Sequence, residues 1–77
     1  MAQMNAAKSA ELDAQNLRTM ATLKARGFSV EFSIQNRRNL FQLSAIATSR
    51  QDLRAVYFAS FSTRQNARAY ANMLRSA

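Results

Sequence analysis

Strict alternation marks one segment of the chain most clearly. Phe28, Val30, Phe32 and Ile34 are apolar, and Ser29, Glu31, Ser33 and Gln35 between them are polar. Successive side chains of a strand point to opposite faces, so 28–35 predicts a strand with one buried face. Gln35 to Asn39 follows as a polar turn in which Asn36 and Asn39 tolerate left-handed backbone. Residues 40–48 predict a second strand, with Phe41, Leu43, Ala45 and Ala47 on one face and Leu40, Gln42, Ser44, Ile46 and Thr48 on the other. After a turn at Ser49 to Asp52, residues 53–61 predict a third. Its two faces are both apolar: Ala55, Tyr57, Ala59 and Phe61 on one, Val56 and Phe58 on the other. Such a strand is central in its sheet or turns its second face toward another chain.

Helical spacing brackets the strands. Residues 6–26 are rich in Ala, Leu, Met, Gln and Lys, all good helix formers. Ala10, Ala14, Leu17 and Ala21 recur at steps of three and four and predict the apolar stripe, with Met20 beside it. Ser9 is the candidate N-cap, which puts Glu11 and Asp13 in the first turn and Lys24 and Arg26 near the end, an order that suits the helix dipole. A start near Asn5 fits the composition as well. Gly27 stands where a left-handed residue closes a helix. At the other end of the chain, Ser62 and Gln65 have the capping-box spacing, and Ala67, Tyr70, Ala71 and Leu74 predict the stripe of a helix over 63–76.

The order α-β-β-β-α predicts an α+β fold: a three-stranded antiparallel meander with two helices on one face, a two-layer sandwich. The chain has 77 residues, no Pro, one Gly and no repeat, and reads as a single compact domain over 1–77.

Composition narrows the function. Without Cys or His there is no disulfide, and a zinc or other soft-metal site is close to excluded. Glu11, Asp13, Glu31 and Asp52 are scattered and form no calcium loop, so neither metal nor cofactor is expected. General acid–base and nucleophilic catalysis lack their usual groups, and the expectation is a chain too short to enclose a pocket of several hundred Å³. The expectation is a binding protein, not an enzyme. No run approaches the roughly 20 apolar residues of a membrane span, and the N-terminus does not read as a signal peptide. The expected location is the cytoplasm, which for a viral or plasmid product is the host's. A small core without disulfide or metal leaves self-association, as a homodimer, as the remaining stabiliser.

Charge is the strongest global feature. Eleven Lys and Arg face four acids, for a formal net charge of +7, and all the bases except Lys8 and Lys24 are Arg. A guanidinium fork pairs bidentately with phosphate or carboxylate, so an anionic partner is expected. Arg64, Arg68 and Arg75 stand at i, i+4 and i+11, in a narrow band of the last helix. Such a row can follow a phosphate backbone, and its plain alternative is a solvated helix face. Arg37 and Arg38 sit at the predicted hairpin tip, where they can reach a partner or simply deter edge pairing. Most aromatics fall on the predicted core faces. Val56 and Phe58 are the exceptions, and if exposed they mark a protein contact.

The element order, with Thr63-Arg64-Gln65-Asn66-Ala67-Arg68 opening the last helix, resembles the double-stranded-RNA-binding domain. That family starts its last helix with a Ser-Lys-Lys-x-Ala-Lys type segment. Arg64 and Arg68 match two of its basic positions, and Gln65 departs from the third. The resemblance implies phosphate contacts at Arg64 and Arg68 and a minor-groove role for the turn holding Arg37 and Arg38. The family's Gly-Pro-x-His turn and its Glu-rich first-helix pattern are absent here. Two readings follow. One is a nucleic-acid-binding module of low sequence specificity that uses Arg37, Arg38, Arg64, Arg68 and Arg75. The other is a small protein-binding regulator or inhibitor, such as a phage or mobile-element accessory protein, docking on an acidic patch of a host protein.

Overall fold

The computed structural model describes residues 6–76. The elements are α1 (Ala6–Ala25), β1 (Ser29–Arg37), β2 (Leu40–Thr48), β3 (Leu53–Phe61) and α2 (Arg64–Ser76). The strands form one antiparallel sheet in the order β1-β2-β3, with both helices on one face. The α-β-β-β-α sandwich expected from the pattern is therefore the fold. No helix of the described residues is long and apolar enough to cross a membrane.

Local chemistry explains the joints. Gly27 adopts φ 82°, the Phe28 amide donates to the Leu23 carbonyl at 2.9 Å, and the Gly27 amide donates to Lys24 at 3.0 Å. This pair of bonds is a Schellman closure, and it needs the left-handed residue that glycine supplies. Residue Arg38 has φ 51° and Asn39 φ 65°, so the β1–β2 hairpin turns on these two residues alone. Two positive φ values match the right-handed twist of the flanking strands. At α2 the cap is Thr63, not Ser62: its Oγ1 accepts from the Asn66 amide at 3.1 Å. Ser62 lies one residue too early. Ser9 likewise falls inside α1 and not ahead of it, while Asn5 lies outside the described residues.

The face of α1 that packs inward differs from the predicted one. Ala10, Ala14 and Ala21 are exposed, whereas Asn16, Met20 and Leu23 are buried. The helix is turned by about one residue, or about 100°. Burying Met20 and Leu23 removes more apolar area from water than burying three alanines, and size outweighs periodicity here.

The third strand is an edge, not the centre of the sheet. Its register shifts opposite Leu43 and Ser44: Ser44 pairs with Tyr57, Leu43 pairs with Ala59, and Phe58 is left over. This β-bulge puts Phe58 and Ala59 on the same side. Phe58 is 2% exposed and sits in the core with Met20, Leu43, Ala45, Ala71 and Leu74. Its ring lies 5.8 Å from that of Phe32. Val56 is half-buried against the same cluster. Exposure of Val56 and Phe58 as a contact surface is thus not observed, because the bulge turns the strand between them and Phe61. Tyr57 and Leu53 point the other way and are 59% and 68% exposed.

Candidate nucleic-acid interface

The capped start of α2 and the alternation of β1 together build a groove. Ala67, Ala71 and Leu74 face the sheet, which leaves Arg64, Arg68 and Arg75 on the flank toward β1. With Phe32, Ser33 and Ile34 of β1, these arginines line an open hollow of about 350 Å³. Apolar side chains form the floor and guanidiniums the wall.

Two of the three guanidiniums are held in place. Arg64 lies over the Phe41 ring at 5.1 Å, and Arg75 over the Phe32 ring at 5.2 Å. Ring quadrupoles attract cations, and stacking leaves the donors at the guanidinium edge free to point outward. Arg75 also donates to Asn72 Oδ1 at 3.0 Å. No carboxylate among the described residues lies within ion-pair distance of Arg64, Arg68 or Arg75. Their charge is therefore available to an anion.

Arg37 and Arg38 do not line this groove. Arg37 pairs with Leu40 at the end of the ladder and, by alternation, lies on the sheet face away from the helices. Arg38 is at the tip of the turn. Arg64 nevertheless stands at the same end of the molecule, since Phe41 beneath it pairs with Asn36. The structure thus brings three of the five predicted arginines together and leaves two nearby at the tip.

Sequence reasoning missed a second basic surface. Arg18 of α1 and Arg26, the residue after α1, meet Arg54 of β3 around an open hollow of about 550 Å³. Arg54 also lies over the Phe28 ring at 5.5 Å and pairs with Asp52 at 2.9 Å. The usable signal was Arg18-Thr22-Arg26 at i, i+4 and i+8, one face of a helix.

The chain matches no protein-family model, and comparison with curated proteins and with solved structures gives no match.

Proposed function

We propose that this protein is a nucleic-acid-binding module of low sequence specificity, with Arg64, Arg68 and Arg75 contacting backbone phosphates and Arg38 and Arg37 extending the contact at the hairpin tip. The observation that carries the reading is the arginine wall itself: three guanidiniums along one groove, without acidic partners among the described residues, two of them lying over rings. Phosphate contacts fix position and carry no base information, and low specificity follows from them.

The test is fluorescence-anisotropy titration against double-stranded RNA, double-stranded DNA and single strands at two salt concentrations. Affinity falls as salt rises because phosphate contacts release counterions. Replacing Arg64 and Arg68 by Ala weakens binding to every sequence and flattens the salt slope by about 1 per arginine. Salt-independent binding, or no binding at low salt, sinks the proposal.

A specific feature favours the second reading, a small protein-binding regulator docked on a host protein. Ile46, Leu53 and Tyr57 are exposed on the sheet face opposite the helices. If no nucleic acid binds, this face, which also carries Arg37 at its far end, is where a protein partner is sought.

A further inference from the structure

The second arginine surface repeats the construction of the first on the opposite side of the molecule. The α2 groove runs along β1, and the hollow holding Arg18, Arg26 and Arg54 runs along β3. These strands are the two opposite edges of the sheet. Leu23 and Val56 provide an apolar floor, as Phe32 and Ile34 do across the molecule.

Arg26 also lines the adjoining hollow with Arg50 of the β2–β3 turn. The basic flank therefore continues from the middle of α1 past its C-terminal end. Asp52 is the one carboxylate in ion-pair contact with these arginines among the described residues, and it engages only Arg54. Arg18, Arg26 and Arg50 keep their charge. A polyanion seated on the β1 flank leaves the β3 flank facing solvent, because the sheet and both helices stand between them.

We infer that the α1–β3 flank is a second phosphate-binding surface, so that one molecule holds two nucleic-acid segments at once and bridges them. This rests on the proposed function and adds a second, independent contact to it.

The experiment mixes short donor-labelled and acceptor-labelled duplexes, RNA and DNA in parallel, and follows energy transfer as the full chain is added. Transfer is expected to rise and then to fall in excess protein, when each duplex acquires its own copy. In the Arg18→Ala, Arg26→Ala double variant the bridging signal falls roughly tenfold. Anisotropy binding of a single duplex is retained through α2. An Arg26→Ala, Arg50→Ala variant guards against misfolding of the first and shows the same split. Wild-type protein that binds a duplex without energy transfer overturns the inference and leaves the proposed function standing. Undiminished transfer in both variants also overturns it, since bridging then comes from paired copies each using α2. Absence of any duplex binding overturns the inference, and absence of single-strand binding as well overturns the proposed function with it.

Discussion

Asn16 on α1 donates to Tyr70 Oη on α2 at 3.0 Å, and the same amide nitrogen donates to the Phe58 carbonyl on β3 at 3.2 Å. The Tyr70 hydroxyl in turn donates a hydrogen bond to Asp13 Oδ1 at 2.7 Å. One buried amide thereby ties three elements, and it satisfies the carbonyl of the bulge residue, which has no partner in the ladder.

Replacing Asn16 by Ala removes both bonds, the one to the Phe58 carbonyl and the one to Tyr70 Oη. The expected loss is about 1–3 kcal/mol of unfolding free energy. Urea denaturation of the Asn16→Ala and Gln15→Ala variants checks it, because Gln15 is exposed on the same helix. Equal stability of the two variants contradicts this role.

Tyr70 also sets an alkaline limit. Burial raises its phenol pKa above the ordinary 10.0, the hydrogen bond to Asp13 and that carboxylate's charge raise it further, and the Asn16 amide opposes them. A raised folded-state pKa means the folded protein holds the proton longer than the unfolded chain. The associated stability is complete below pH 10.0 and is lost as pH rises through the folded value. Chemical denaturation above pH 10.0 should show a steeper decline for the wild type than for Tyr70→Phe. Parallel declines contradict it.

Arg38 and Asn39 both hold the left-handed conformation, which costs an L-residue roughly 1 kcal/mol or more. Asn39→Gly relieves one of these without touching an arginine. A gain of up to about 1 kcal/mol is expected, seen as a rise of roughly 4–8 °C in Tm. Nucleic-acid affinity should not change, and a lowered Tm contradicts the turn assignment.

The three groove arginines are not equivalent. Arg64 and Arg75 each lie over a ring, whereas Arg68 has no ring contact among the described residues. Losing an exposed cation–π contact costs about 0.5–1 kcal/mol. Arg64→Lys should therefore weaken nucleic-acid binding roughly two- to fivefold, and Arg68→Lys less. Titration of the two variants side by side decides it, and equal affinities remove the stacking argument.

Much of the fold is local and could be read from neighbouring residues. The alternation from Phe28 to Ile34 and the Ala67-Tyr70-Ala71-Leu74 stripe both face the core as the pattern requires. The misreadings at Asn16, Phe58 and Arg54 share one cause, which is distance along the chain. Asn16 looks like an exposed helix residue until Phe58 and Tyr70 are beside it. The bulge at Phe58 depends on β2 across the sheet, and nothing in Leu53 to Phe61 announces it. At the site, the i, i+4, i+11 spacing identified one arginine wall, but only folding sets Arg54 beside Arg18 and Arg26.

The Asn16 tie has a consequence for synthesis. During translation α1 emerges ahead of the sheet, yet the bonding partners of Asn16 follow 42 and 54 residues later. A helix in a protein draws most of its stability from tertiary packing, and Met20 and Leu23 stay uncovered while α1 waits. The β-meander can pair as it emerges, but the helical layer closes only when α2 has left the ribosome. Cover for Met20 and for Phe58 thus arrives last, with Ala71 and Leu74.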